Sequence, residues 1–404
     1  MTYESLESIR EKARRAIETT PYQKIGDSPT LKYYAKWDYV EKLNIVSHKP
    51  SSPLKRLPET YANKKYYTLV FEGNRLLEYG EKYDNVLTIE VNDELMKDYE
   101  GFLFRNISVS ETKLNALHIA YFAKGVIVDI RESINKPIRI VGFTAHRNVH
   151  VGYHVVYILR DNVSAELEII SLGVEDKDVL KTFVIEGFMG RNTKAKVTFV
   201  VEDSGKSFSY ILHRVRGYDN SECDTHYLVL NDNVAHIREG HVLSSRSKLR
   251  IHGLMIARNS SWQDYYTNII HVGPYSSSRV NVKGIALDSS TITHRGLAKV
   301  LNGALDASSI IESEMLVFGE RAKANSAPML EIETFNVEEA RHATSISRLS
   351  EDHIFYLASR GIDVKEAEKL IIKGVSERFL EKIEMPTKEF LGKLIYEKLI
   401  IEKR

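Results

Sequence analysis

The feature that most restricts the fold of this chain runs from Ser244 to about Ser345, where Gly, Asn, Asp and Ser repeatedly interrupt short β-type runs. Within Ile285–Phe318 the turn clusters Asp288-Ser289-Ser290, Asn302-Gly303 and Asp306-Ala307-Ser308 separate runs such as Ala298-Lys299-Val300-Leu301 and Ser309-Ile310-Ile311. Runs this short and this often turned predict strands stacked on one another rather than a hairpin meander. A related device (a polar turn, a small Ala, then alternation) occurs at Asp161–Ala165, Arg191–Val197 and Asn231–Ile237. Each rung of a parallel β-helix turns at such a corner and points alternate side chains into a common core. A β-sandwich also alternates, but it favours hairpin turns between long neighbours. The residues alone prefer the stack and leave the sandwich open.

Upstream, Leu6, Ile9, Ala13, Ala16 and Ile17 recur at helical spacing and predict an amphipathic helix over Thr2–Thr19. Leu31, Tyr34, Trp37, Val40 and Leu43 make a second helical stripe over Thr30–Val46, followed by a proline-rich connection, Ser47–Pro58. Residues 1–84 therefore read as a partly helical N-terminal unit. Alternation begins at Val86–Val91, and Ala120–Ile130 reads as two short strands around a Lys124-Gly125 turn. The β core is expected over 85–348. From residue 349 to 404 the period is helical. Ser350 can cap, Glu351 and Asp352 suit the positive end of a helix, and Gly361 can stop it. Asp363 with Glu366 opens a second helix, and Phe390, Leu391, Leu394, Ile395 and Leu399 mark a third after Pro386.

The formal charge of +1 gives no basic field that would draw in nucleic acid. No apolar run reaches the ~18 residues of a membrane span, and the charged N-terminal segment is unlike a signal peptide. A cytoplasmic protein is expected. The single cysteine, Cys223, excludes an intramolecular disulfide and a Cys-rich metal site. Cys223 and His226 have metal-pair spacing, but two ligands make no structural site, so a free thiol is the simpler expectation. His146, His150 and His154 lie four apart, which in a strand sets them roughly 13 Å from one another, too far to share an ion. No glycine loop of the nucleotide-cradling kind occurs, so ATP hydrolysis is not encoded.

The order KGIALDSS, HRGLAKV, NGALDASS, LVFGERAKANSAPMLEIE and HATSISRLSEDHIFYLASRGI, from Tyr265 to Gly374, resembles the SufB/SufD family. These are scaffold subunits of the Suf iron–sulfur cluster assembly machinery. The resemblance implies a fold that is mostly β with α-helical ends: a right-handed parallel β-helix core flanked by N- and C-terminal helical units. It further implies a non-catalytic scaffold that pairs with a SufB-like paralogue or with itself. In that family a separate SufC-like ABC ATPase docks on the C-terminal helical unit, where Phe355, Tyr356, Arg360, Ile362 and Ile371 are the candidate contacts. Helix–helix core is the plainer reading for Phe355 and Ile371, and exposure for Arg360. An iron–sulfur cluster would be transient at the subunit interface, with none bound stably by this chain alone.

Within the family, the cysteine of the B-type subunit falls on Ser313 here. A serine oxygen is too hard and too weakly acidic to replace a thiolate. The chain therefore resembles the D-type partner, although HRGLAKV is B-like. The D-type histidine position falls on Arg341, with His342 one place later, and a one-residue shift in a strand reverses the face. A local bulge would bring His342 round as a metal ligand; otherwise it is a surface histidine near a corner. The rival function is a β-helix carbohydrate-active enzyme, lyase-like, with carboxylates and arginines converging on one face of successive rungs.

Overall fold

The computed structural model describes residues 5–23, 34–62, 65–92, 96–348 and 351–397. The Ser350 cap and Leu31 lie outside the described residues. The N-terminal part holds α1 (Leu6–Thr19), α2 (Trp37–Glu41), β1 (Thr68–Glu72), β2 (Arg75–Tyr79), β3 (Val86–Glu90), α3 (Met96–Tyr99) and α4 (Lys113–Tyr121). The strands that follow are β4 (Lys124–Ile130), β5 (Ile138–Thr144), β6 (Arg147–Leu159), β7 (Ser164–Met189), β8 (Lys194–Gly217) and β9 (Glu222–Val229). Next come β10 (Val234–Leu243), β11 (Lys248–Ala257), β12 (Trp262–His271), β13 (Ser277–Ala286), β14 (Thr291–Val300), β15 (Ala307–Val317), β16 (Lys323–Ile332) and β17 (Val337–Arg348). Three helices close the chain: α5 (Glu351–Ser359), α6 (Val364–Leu380) and α7 (Thr387–Ile395).

Two parallel sheets run the length of the molecule, and the chain alternates between them to make a β-helix of about eight turns. The first sheet stacks β1, β5, the first halves of β7 and β8, then β9, β11, β13, β15 and β17. The second stacks β4, β6, the second halves of β7 and β8, then β10, β12, β14 and β16. These parallel registers exclude the sandwich. Strands β1 and β2, before residue 85, already belong to the sheet.

The corners explain the spacing of the turn residues. Where the chain passes from the second sheet to the first, Asn162, Asn192, Asn220, Arg246, Tyr275 and Asp306 each adopt a left-handed backbone, φ between 55° and 66°. Asn and Asp tolerate that conformation better than other side chains except Gly. The Asn side chains also stack: Asn192 Nδ2 donates to Asn162 Oδ1 at 3.0 Å, and Asn220 Nδ2 to Asn192 Oδ1 at 3.1 Å. The turn at Asn231-Asp232-Asn233 belongs to the opposite corner, between β9 and β10. What reads as one repeated device is thus two, one per corner.

Inward-facing side chains form one continuous core, aromatic at its N-terminal end, where Phe71 and Tyr153 stack 5.0 Å apart beside Phe183. Helices cover both outer faces. α1 and α4 pack on Leu180, Val184, Phe208 and Leu212 of the second sheet, and α6 and α7 pack on Val200, Leu228, Leu254 and Ile285 of the first. The segment Ala120–Tyr121, expected as a strand, is instead the end of α4. Its run LNALHIAY is buried nearly all round, so no amphipathic period announces it. Thr112 caps it by accepting from Asn115 N at 3.2 Å. In the expected helix over Thr30–Val46, the described part is helical only at Trp37–Glu41. Asp363 accepts from Glu366 N at 2.8 Å, and Gly361 stops α5 with φ +81°, both as expected. No helix among the described residues is long and apolar enough to cross a membrane.

Candidate functional site

The two ends of the solenoid are built differently. At the N-terminal end, β2 and β3 run antiparallel to β1 and β4 and replace a further parallel rung. At the C-terminal end, among the described residues, β17 pairs with β15 only, and its side chains are exposed except for the half-buried Val337 and Ala340. The preceding strand β16 is half-buried to exposed throughout. Ile332, Phe335 and Ile346 are exposed apolar side chains at this end, and Phe335 lies wholly free of the chain. An edge strand with bare hydrogen-bonding groups and apolar side chains is a template for another chain.

The interior also changes character here. In place of aromatics, the last turns point small polar groups inward. His294 of β14 lies 2.6 Å from Ser313 Oγ of β15 through Nδ1 and 3.4 Å from Thr267 Oγ1 through Nε2. Burial pushes the His294 imidazole down to about 3, so it is neutral. One turn further on, Ser326 Oγ and Thr344 Oγ1 meet at 3.1 Å. A cleft of about 540 Å³ is lined here by Asn325, Ser326, Pro328, His342, Thr344 and Ile346.

His342 pairs with Ile311, and Thr344 with Ser313. Register partners in a parallel ladder share a face, so His342 points to the inner side of the stack, at its open mouth. A register shift between Ala307 and Ser308 absorbs one extra residue of β17 and sets this parity. Arg341 points outward and pairs with Glu312 at 3.6 Å and Glu339 at 2.9 Å. Ser313 is buried and beyond reach of solvent. In HRGLAKV, His294 goes inward, while Arg295 goes outward to Asp264 at 2.8 Å.

The candidate contacts of the helical unit divide. Phe355 is 76% exposed and Tyr356 58%, so the core reading of Phe355 is corrected: among the described residues, nothing covers that face of α5. Arg360 is exposed and lies over the Tyr356 ring at 5.3 Å. Ile362 is half-buried, and Ile371 of α6 packs into the apolar cluster that α6 shares with the first sheet, as a core residue would.

His146, His150 and His154 lie among other polar groups. His150 and His154 lie on the outer face of β6, in a chain that runs His48–His150–Thr182–His118–His154–Glu186 with steps of 2.9 to 3.2 Å. His146 sits before that strand, 3.1 Å from Ser51 O. Cys223 faces inward and His226 outward on to Phe379, so they share no ligand position. Burial pushes the Cys223 thiol up to about 12. Outward charges on successive rungs join as opposite-sign pairs, Asp224–Arg250 at 2.6 Å and Lys283–Glu314 at 2.6 Å, while Glu166 and Glu168 meet at the Thr387 hydroxyl, 2.8 and 2.6 Å away. Sequence reasoning missed the inward group His213, Glu239 and His241, whose members come from neighbouring rungs. Only the register could have brought them together.

Against known proteins, the family model described as "SUF system FeS cluster assembly, SufBD core domain" matches residues 143–375. The iron–sulfur cluster assembly protein SufD of Bacillus subtilis is 27% identical over 319 residues, covering 75% of this chain and 70% of that protein. A SufBD family protein of Synechocystis is 24% identical over 323 residues, covering 77% of this chain and 66% of that protein. The SufB protein of Bacillus subtilis is 30% identical over a shorter 142 residues, covering 35% of this chain and 30% of that protein. The chain thus spans 66–70% of the length of the first two relatives.

Proposed function

The chain belongs to the SufB/SufD family of iron–sulfur cluster assembly proteins, and from that premise we propose that it is a non-catalytic scaffold subunit of the cytoplasmic Suf complex. It pairs through its last turn with a SufB-like chain or with a second copy of itself. One observation carries this reading: β17 offers a bare edge and exposed apolar side chains where the opposite end is sealed. A D-type role is supported by Ser313 in place of the thiolate and by the longer match to SufD than to SufB.

The cluster is cargo, formed at the seam and passed on. This chain can supply one imidazole there, His342, while Cys223 is buried and protonated. A cluster is held mainly by thiolates, so the partner provides them. The SufC-like ATPase docks on the C-terminal helices, where Phe355, Tyr356 and Arg360 present an aromatic and cationic face. Closure of two ATPases pulls the helical units and opens the seam.

Mixing the purified chain with its SufB-like partner tests the reading. Ile346→Asp is expected to weaken pairing by at least about tenfold with an unchanged circular dichroism spectrum. Equal affinity for wild type and variant sinks the seam. In reconstitution with partner and ATPase, His342→Ala is expected to lower cluster yield, and an unchanged yield removes the ligand role. Phe355→Ser with Tyr356→Ser is expected to abolish capture of the ATPase.

A further inference from the structure

Halfway along the solenoid, well away from the open mouth, three ligand-type side chains meet inside the core. His213 of β8 stands opposite Glu239 of β10 in the ladder, and His241 follows two residues later on the same inward face. One donor atom from each lies within 4.8 Å of the others. His241 Nε2 is 2.7 Å and His213 Nδ1 3.6 Å from Glu239 Oε1. All three residues are buried.

Two of the three are held from behind through the atom that does not face the centre. The Tyr157 hydroxyl lies 2.9 Å from His213 Nε2, and the Tyr265 hydroxyl donates to Glu239 Oε2. Tyr157 reaches His213 by leaning over Gly187, its ladder neighbour, where a Cβ would sit 2.3 Å from the hydroxyl. Metal-binding imidazoles and carboxylates are held in this way through their outer atoms. His213 Nδ1 has no hydrogen-bond partner although it is fully buried, and neither has the buried Tyr227 hydroxyl, whose ring lies 4.9 Å from that of Tyr265. A buried polar atom left unpaired costs stability unless something occupies its lone pair.

We infer that His213 Nδ1, Glu239 Oε1 and His241 Nε2 bind one divalent first-row transition ion. Donors about 2.1 Å from such an ion stand roughly 3–4 Å apart, a spacing the three already approach. Two imidazoles and one carboxylate suit zinc or ferrous iron, whereas calcium and magnesium need more oxygens. The site is structural: it ties two rungs together and fills when the chain folds, independently of any partner.

Refolding the full chain in Co(II), removing free metal and measuring bound cobalt with its absorption and electron–nuclear spectra tests the inference. About one ion per chain with two imidazole nitrogens coupled to it is expected. His213→Gln and His241→Gln should each lower cobalt content by about tenfold. His271→Gln, another interior histidine, should leave it unchanged. No cobalt in the wild type, equal loading of wild type and both variants, or loading without imidazole coupling overturns it. Because the wild-type coupling is read without any substitution, a variant that fails to fold does not shelter the idea.

Discussion

The two ends of the solenoid share one ladder of backbone hydrogen bonds but differ in what closes them. At the N-terminal end, antiparallel strands and an aromatic cluster finish the core, with Phe71 stacked on Tyr153 and Phe183 edge-on to both. At the other end the ladder stops, Ser326, His342 and Thr344 take the inner positions, and the edge is bare. The lesson is that stacked folds hold stability and binding in different rungs. Terminal rungs need capping for solubility, so an uncapped rung is a place reserved for something else.

The largest test of that division is truncation of a side chain at each end. Phe183→Ala empties a fully buried aromatic position and is expected to cost about 3–5 kcal/mol in denaturant unfolding. Ile346→Ala, on the exposed rung, should cost within about 0.5 kcal/mol in the isolated chain. Similar costs at both ends would erase the contrast.

Acid should act at both ends, since burial holds His294 in the last turns down to about 3 as well. Burial pushes the His150 imidazole down to about 3, and His118 well below its ordinary range, both in the chain beneath the N-terminal helices. An unfolded imidazole takes up its proton below about pH 6.5, so between there and about 3 the unfolded state holds more protons. Stability is therefore complete above pH 6.5 and falls as pH drops. The slope is about 1.4 kcal/mol per pH unit for each histidine that stays neutral. His150→Gln should flatten the slope of stability against pH; an unaltered slope would place the sensitivity elsewhere.

A smaller effect belongs to the corners. The early ones carry Asn162, Asn192 and Asn220 in the left-handed region, whereas later ones carry Arg246 and Tyr275. Asn192→Ala is expected to lose about 1–2 kcal/mol, and Tyr275→Asn to gain a few tenths, both read from melting curves. Least of all, Arg341→Ala breaks only exposed pairs and should change stability by less than about 0.5 kcal/mol.

The pattern of turns and alternation made the stack legible, because each corner needs polar or left-handed residues and each rung needs a core face. Asp363 and Gly361 likewise announced the helical tail. Other features left no local trace. α4 is buried on nearly every side and so lacks a stripe. The two corners use similar residues, so sequence merges them. The face of His342 depends on one extra residue absorbed in β17, which counting from Thr344 does not reveal. The meeting of His213 with Glu239 is set by how many residues separate two rungs, a sum over whole turns.

The one-sided mouth also has a temporal consequence. Each rung takes its register from the one before it, so a polypeptide leaving the ribosome N-terminus first lays down the sealed end and then lengthens the stack. The adhesive edge is the last rung to form, after the body that must carry it and with the helical tail still to follow. Half-made chains therefore offer neighbouring nascent chains a different and transient edge from the one the mature molecule uses.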